Sequence, residues 1–194
     1  KACNIFSKRY GIESYNEIED ALLHIKPDLI ILAVPTSIQL ESIRRIVKCY
    51  IPKTILCEKP MGDNLAQGKE IVITCRKKNI NLYVNYVRRC LPGSIEVKKR
   101  IDNGLINTPM KCVFWYSKGL RHNGSHYINL MEYWFGKLQG AQVVNKGREF
   151  QGFGFEPYAY LKFDNCEVSL ISAWEECYSH YTIEIISSTG RLYW

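Results

Sequence analysis

The first half of the chain alternates between two patterns of hydrophobic positions, and this alternation predicts helices separated by short strands. In residues 15–25 the apolar positions recur every three or four residues, as on one face of a helix, and Asn16 is a suitable N-cap. Residues 29–34 then form an unbroken apolar run that Pro35 closes. A run of this length predicts a strand covered on both faces, as in a parallel sheet.

Two more helix–strand pairs follow at similar spacing. A helix is predicted from Thr36 and a strand at 54–57. The next helix starts at Asn64, where Gln67 completes a reciprocal cap, and a strand follows at 80–87. The positions expected to face the core on these two helices are Leu40, Ile43, Ile46, Val47, Leu65, Ile71, Val72 and Cys75. Strands that alternate with helices of this length indicate βαβ units with right-handed crossovers and a parallel sheet.

The pattern changes after Arg88. A helix is predicted from Pro92 to Asn103, followed by a strand at 109–116 and a helix at 123–135. The remaining segments predict strands with no helix between them, at 141–145, 158–163, 167–174 and 181–187. Consecutive strands of this kind imply an antiparallel or mixed sheet, so we expect an α+β fold for the second half of the chain.

The composition is that of a soluble globular protein. Of the 194 residues, 46% are hydrophobic and 23% are charged, and no apolar stretch approaches the ~20 residues that cross a bilayer. None of the eight cysteines belongs to a Cys-x-x-Cys pair, which disfavours a cysteine zinc site. Several of them lie inside apolar runs, as reduced core cysteines do. We therefore expect a cytoplasmic protein without a membrane segment.

The net charge of +7 raises the question of a nucleic-acid partner. Basic residues are dispersed, and the densest stretch, at 88–100, is not accompanied by a helix-turn-helix, a zinc finger or an aromatic RNA-binding signature. An anionic small molecule, such as a nucleotide-linked sugar, suits such a surface better. The sequence therefore predicts no nucleic-acid partner.

The strand predicted at 54–57 ends abruptly in Glu58-Lys59-Pro60. Ligands of open α/β sheets bind just beyond the carboxyl ends of the strands, so this acid, amine and rigid turn have the layout of an active site. A partly desolvated lysine in such a place can have its pKa lowered enough to exchange protons near neutrality. The alternative is a surface turn that follows a core strand.

Five landmarks follow one another along the chain. They are Ala33-Val34-Pro35, Glu58-Lys59-Pro60, Asn85-Tyr86-Val87-Arg88-Arg89, the segment 122–129 and Trp134-Phe135-Gly136. Together they resemble the glucose-fructose oxidoreductase / inositol dehydrogenase (Gfo/Idh/MocA) family over nearly the whole chain. The resemblance implies an incomplete Rossmann-like parallel-sheet domain at 1–88, followed by an α+β domain at 89–194 with a mainly antiparallel open sheet. That sheet often mediates oligomerisation in the family, so a homo-oligomer is expected.

The resemblance also implies a cofactor, a substrate class and a site. The cofactor is NAD or NADP, and the substrate is a sugar, cyclitol or nucleotide sugar that reacts at a hydroxyl or keto group. Lys59 is expected beside the nicotinamide and the reacting oxygen, with His126 as its proton-transferring partner. Contacts with the cofactor are implied for Val34, Pro35, Thr36, Gln39, Glu58, Lys59 and Asn85, and contacts with the substrate for Arg88, His122 and Asn129.

These residue types suit the chemistry, with three departures from the family pattern. An alcohol gives up hydride poorly until its proton is removed, and histidine, with an unperturbed pKa of ~6.5, accepts that proton near neutral pH. A neighbouring ammonium stabilises the developing alkoxide. His122 and Asn129 stand where the family usually has carboxylates, and Gln39 stands where a histidine is common. Either His122 takes part of the carboxylate's orienting role, or the oxidative chemistry is altered or absent.

A further departure concerns the cofactor. The sequence has no Gly-x-Gly-x-x-Gly turn of the kind that holds a dinucleotide pyrophosphate. Residues 1–11 match the helix after the family's second strand, and the C-terminal sheet stops just after 189–192. We therefore expect a chain truncated at both ends, which lacks the first βαβ unit and binds NAD poorly or not at all.

The sequence is also compatible with two other functions. The loss of two carboxylates favours a non-catalytic member of the family that senses a nucleotide or a sugar as a binding or regulatory protein. His122 and His126 are spaced i, i+4 and suit a zinc ion on one helical face. However, Asn123 replaces the glutamate of a His-Glu-x-x-His metalloprotease, so no metal site is predicted.

Overall fold

The computed structural model describes residues 2–152, 154–175 and 177–194. The chain divides into two compact units, Lys1–Asn85 and Tyr86–Trp194. No helix among the described residues is both long enough and apolar enough to span a bilayer.

The first unit alternates helices with parallel strands, as predicted. Its elements are α1 (Ala2–Tyr10), α2 (Ile18–Ile25), β1 (Leu29–Leu32), α3 (Thr36–Cys49), β2 (Thr54–Cys57), α4 (Leu65–Lys77) and β3 (Asn81–Val84). Within the described part of the chain, the three strands pair in the order β1-β2-β3, and both pairings are parallel. Helix α1 covers the segment for which the resemblance implied a helix.

One face of this sheet carries the core of the first unit. Leu32 on β1 pairs in register with Cys57 on β2, and both are buried against the helices together with Ile43 and Ile46 of α3. The prediction that β1 is covered on both faces is wrong, because Leu29 and Ile31, which alternate with the core positions, are 51% and 63% exposed. Side chains of a strand point alternately to its two faces, and the described helices pack on one of them.

Two predicted details of the helices also differ. Helix α2 begins at Ile18, after an extended Glu17, so Asn16 is not its N-cap. Asn64 does cap α4, since its side chain accepts the Gln67 N–H at 3.0 Å, but Leu65 is 74% exposed. Leu65 lies about 120° around the helix from the buried Ile71, at ~100° per residue, and so falls outside the core face.

The second unit is an α+β arrangement with a mixed sheet. It contains a 3₁₀ turn (Val87–Cys90), α5 (Pro92–Asp102), β4 (Met110–Tyr116), a π-helical turn (Gly119–Gly124), α6 (Ser125–Phe135), β5 (Leu138–Asn145), β6 (Tyr158–Phe163), β7 (Cys166–Ser172), β8 (Tyr181–Ile186) and β9 (Arg191–Tyr193). The described strands follow the order β5-β6-β7-β4-β8-β9. The β4–β7 pair is parallel and the others are antiparallel, so the expected mainly antiparallel sheet is confirmed.

Helices and strands of the second unit share one apolar core. Phe114 on β4 and Leu130 on α6 are completely buried in it. Trp134 on α6 is buried as well and donates its indole N–H to the Ser94 carbonyl of α5 at 2.9 Å, which ties the two helices together. Strand β5 differs from the rest of the sheet because all of its residues are exposed.

Candidate functional site

The three parallel strands of the first unit end side by side, and this shared edge places Glu58 next to Asn85. Glu58 donates its backbone N–H to Leu32 at 3.1 Å, and Asn85 donates its own to Cys57 at 2.8 Å, so the register of the sheet extends past the strand ends. The Asn85 side-chain amide then donates to the Glu58 carboxylate at 2.6 Å. The edge therefore presents an acid whose orientation is fixed by a neighbouring amide.

Gln39 of α3 forms hydrogen bonds with the backbone of the turn that carries Lys59. Gln39 is completely buried. Its Nε2 donates to the Glu58 carbonyl at 2.9 Å, and its Oε1 accepts the Gly62 N–H at 2.7 Å. Lys59, which is partly buried, lies between these two anchors, and its peptide bond to Pro60 is cis.

Gly62 is required by the shape of this turn. Its φ is +72°, and a Cβ at this position would lie 2.8 Å from the Gly68 nitrogen on α4. A left-handed φ combined with so close an approach favours glycine strongly. The backbone of α4 therefore packs directly against the end of the Lys59 turn.

The loop after β1 supplies the other positions predicted to touch the cofactor. Val34 is half-buried, Pro35 is exposed, and Thr36 opens α3. The Thr36 hydroxyl donates to the Asp63 carboxylate at 2.9 Å, which links this loop to the residue after Gly62. The predicted cofactor contacts of Val34, Pro35, Thr36, Gln39, Glu58, Lys59 and Asn85 thus cluster along one edge of the sheet.

The Cys57 thiol immediately before the turn takes no part in acid–base chemistry near neutrality. It is completely buried, and burial, with smaller contributions from Cys75 and Glu58, raises its pKa to about 11. A thiol in this state stays protonated and behaves as a core side chain.

In the second unit, His126 lies in the first turn of α6 and is buried. The ring of Tyr86 packs edge-on against its imidazole, with ring centroids 5.8 Å apart. The Tyr86 hydroxyl also forms a hydrogen bond with Ser125, and the net effect of burial is a raised Tyr86 pKa. Tyr86 therefore fixes the histidine from its side, a role that the sequence did not assign to it.

Arg88 is sandwiched between two aromatic rings. Its guanidinium carbon lies 4.6 Å from the centroid of the Tyr127 ring and 4.5 Å from that of the Tyr181 ring, and its Nη1 donates to the Tyr127 hydroxyl. Removal of the guanidinium from water lowers its pKa. The substrate contact predicted for Arg88 stays a prediction, and the structure adds a packing role beside His126.

A buried carboxylate anchors the start of the π-helical turn that leads to His126. Glu156 is completely buried, and its Oε1 accepts the Gly119 N–H at 3.0 Å. Its Oε2 accepts from Nε of Arg148 at 2.7 Å. π-Helical turns are frequent at functional sites. Neither Glu156 nor Arg148 lies in a motif that sequence reasoning would have singled out.

His122 and Asn129 flank His126 along the same stretch of helix. His122 is half-buried in the π-helical turn, and Asn129 is half-buried on α6, three residues after His126 and on the same helical face. In the described part of the chain there is no group of three or more His, Cys, Asp or Glu side chains suited to a metal ion. The two-histidine zinc alternative therefore gains no third ligand.

The chain is similar in sequence to known oxidoreductases. Residues 1–86 match the family model described as an oxidoreductase family with an NAD-binding Rossmann fold. An uncharacterized oxidoreductase of Streptococcus pneumoniae is 20% identical over 96% of this chain and 57% of its own length. The NADP-dependent D-xylose 1-dehydrogenase of Haloarcula marismortui is 26% identical over 57% of this chain and 31% of its own length.

Solved structures show the same fold over the whole chain. The WlbA dehydrogenase from Bordetella pertussis, crystallised with NADH and UDP-GlcNAcA, superposes with a TM-score of 0.82 at 16% identity. The superposition covers 99% of this chain and 62% of that one. The present chain thus spans 57% of the first curated relative and 62% of this structural one.

Proposed function

We propose that the protein is an NAD(P)-dependent oxidoreductase of the Gfo/Idh/MocA family, whose NAD-binding part its residues 1–86 match. Its substrate is a sugar, cyclitol or nucleotide sugar, which reacts at a hydroxyl or keto group. The observation that carries this proposal is the built turn around Lys59 at the carboxyl edge of the parallel sheet, where ligands of such sheets bind.

The residues along this edge fit the cofactor. Asn85 holds the Glu58 carboxylate at 2.6 Å, and a carboxylate so oriented suits the hydroxyls of a ribose. Pro35 and Thr36 would line the approach from the neighbouring strand end. When bound, the nicotinamide supplies the hydride acceptor in one direction of the reaction and the hydride donor in the other.

Side chains of this chain would remove the proton of the reacting hydroxyl and stabilise the resulting charge. His126 would take the proton from the reacting hydroxyl, since a neutral imidazole is a base suited to neutral pH. The ammonium of Lys59 would stabilise the negative charge that develops on the same oxygen. Arg88, His122 and Asn129 would orient the substrate.

A second function is favoured by the substitutions at positions 122 and 129. Histidine and asparagine there remove two carboxylates that would orient His126 and raise its basicity. A member of the family in this state would bind a nucleotide or sugar without turning it over, as a sensing or regulatory protein.

Hydride transfer separates the two functions. When joined to a glycine-rich dinucleotide-binding unit, which this sequence lacks, the chain should oxidise NADH or NADPH in the presence of some member of a panel of keto sugars, and the loss of absorbance of the reduced nicotinamide measures this turnover. In that protein Lys59→Ala should abolish turnover and leave nucleotide affinity within a few-fold, because the amine acts on the reacting oxygen. Tight nucleotide binding without turnover on any substrate would reject the enzyme in favour of the sensor.

We also propose that copies of the chain associate through the open face of the six-stranded sheet. Its outward positions include Trp115, Tyr160 and Ile186, which are 40%, 49% and 50% exposed. Large apolar side chains grouped on one face are typical of association surfaces. Sedimentation analysis of Trp115→Lys would test this, since a lysine there should favour the monomer.

A further inference from the structure

Gln39 makes contacts with both ends of the Lys59 turn. The bond from its Nε2 to Glu58 and the bond from Gly62 to its Oε1 are 2.9 and 2.7 Å long. They enclose Lys59 and the two residues after it. A carboxamide presents its donor and its acceptor in one rigid plane, so the two ends of the turn are fixed relative to each other.

The position of Gln39 argues for a specific role. It lies on the buried face of α3 beside Leu40 and Ile43, where apolar side chains are the rule, and its own exposure is zero. A polar group at such a place is stabilising only when it is hydrogen-bonded, as both ends of this amide are. An apolar side chain of the same size would leave the Glu58 carbonyl and the Gly62 N–H without these two bonds, so the polar side chain serves the turn rather than the core.

We propose that Gln39 is a positioning residue for Lys59. By bonding both ends of the turn at 58–62 it fixes the direction of the amine, and its amide is engaged by the turn rather than by the cofactor. The inference rests on the proposed function, because the direction of the amine affects the reaction only if Lys59 acts on the reacting oxygen.

Three variants test this role. Gln39→Met keeps the length of the side chain and removes both hydrogen bonds. Gln39→Glu keeps the acceptor for Gly62 but turns a carboxylate oxygen toward the Glu58 carbonyl. Ile43→Val is the matched control, because it shortens a buried side chain one turn further along the same helix and alters no hydrogen bond to the turn.

The first readout is the environment of Lys59 and needs no enzyme activity. The rate of acylation of each lysine amine is measured between about pH 6 and pH 10, with the exposed Lys53 as the internal reference. Loss of one hydrogen bond raises the open population of the turn about fivefold, so Lys59 should approach the profile of Lys53 in Gln39→Glu and more closely in Gln39→Met. Exchange of the Gly62 amide should quicken in Gln39→Met.

The control defines the outcome that overturns the proposal. Ile43→Val should keep the wild-type Lys59 profile even though it lowers the melting temperature. A Lys59 profile that is the same in Gln39→Met and in the wild type, or that moves equally in Ile43→Val, would show that Gln39 does not position the amine.

The second readout is catalysis. In the hydride-transfer assay Gln39→Met should lower kcat about tenfold and change KM little, because it disturbs the reacting group and not the binding of substrate. Absence of hydride transfer in the wild type would reject the proposed function, whereas the acylation profile would still decide whether Gln39 fixes Lys59. The two failures are therefore distinguishable.

Discussion

The two units hold their proposed reactive side chains by different means. In the first unit, the turn around Lys59 is fixed by a neutral carboxamide that bonds backbone groups. In the second, the turn that leads to His126 is anchored by a buried carboxylate, Glu156, which also accepts a hydrogen bond from Arg148. Neutral hydrogen bonds need little desolvation, whereas a buried ion must be compensated by good geometry.

This difference has a consequence for stability. Removing a neutral partner should loosen one turn and leave the rest of the first unit in place. Removing the Glu156 carboxylate should destabilise the second unit more, since the Gly119 N–H and the partly buried Arg148 guanidinium both lose this acceptor.

The largest effect is expected for Glu156→Ala. It removes both the acceptor of the Gly119 N–H and the carboxylate that faces Arg148, so the free energy of unfolding should fall by about 3 kcal/mol. Chemical denaturation followed by circular dichroism measures this. Glu156→Gln is the control, because it keeps an acceptor for the Gly119 N–H and should therefore lose less free energy of unfolding than Glu156→Ala. A loss below about 1 kcal/mol in Glu156→Ala would contradict the contrast between the units.

The next effect concerns the aromatic sandwich of Arg88. Arg88→Lys replaces a planar guanidinium between Tyr127 and Tyr181 by a point charge, and should destabilise the protein by about 2 kcal/mol. The matched control is Arg89→Lys, because Arg89 stacks on the single ring of Tyr133 at 4.8 Å and is exposed. An equal decrease in the melting temperature of the two variants would show that the second aromatic ring adds no stability.

A smaller effect is expected at the edge of the parallel sheet. Asn85→Ala removes the donor to the Glu58 carboxylate. Because both side chains are half-buried, the free energy of unfolding should fall by about 1 kcal/mol. Asn81→Ala, at the exposed start of the same strand, serves as the control and should be nearly neutral. If the effect of Asn85→Ala exceeds that of Glu156→Ala, the side-chain contacts of the first unit would be the stronger ones.

The smallest effect is expected for the exposed ion pairs of Arg45. Its guanidinium lowers the pKa of Glu19, with which it shares a 2.6 Å contact. A carboxyl whose pKa is lowered in the folded state adds stability above its unfolded pKa, and this is lost as the pH falls through the folded value. Arg45→Gln should therefore lower the melting temperature slightly at neutral pH and low salt, and not at acidic pH. A difference that persists in high salt would contradict a screened surface pair.

The sequence predicts the backbone of the first unit well and its polar contacts poorly. Strand β2 has the predicted bounds, because an apolar run closed by Glu58-Lys59-Pro60 leaves no other solution. The resemblance directed attention to Lys59 and His126, whose joint role stays a prediction. Leu65 was misplaced because a helix can begin with an apolar residue that lies off its core face.

The contacts that hold the site could not be read from the chain. Gln39 bonds residues 19 and 23 positions away, and nothing in a helical pattern marks a glutamine for such a purpose. Glu156 meets Gly119 over a separation of 37 residues from a stretch without regular structure. Tyr86 was quoted as part of a landmark, but its contact with His126 depends on how the 3₁₀ turn packs on α6.

Strand β5 is attached to the sheet by its main chain, because every one of its side chains lies in solvent and its pairing with β6 is interrupted by two register shifts. Amino-acid replacements along this segment should therefore leave the core of the second unit unchanged, provided that they spare the peptide groups. Proline is the exception at the positions whose N–H donates to β6, since it has no N–H to donate. The segment is a natural place to graft a short epitope or a reactive label without disturbing either unit's interior.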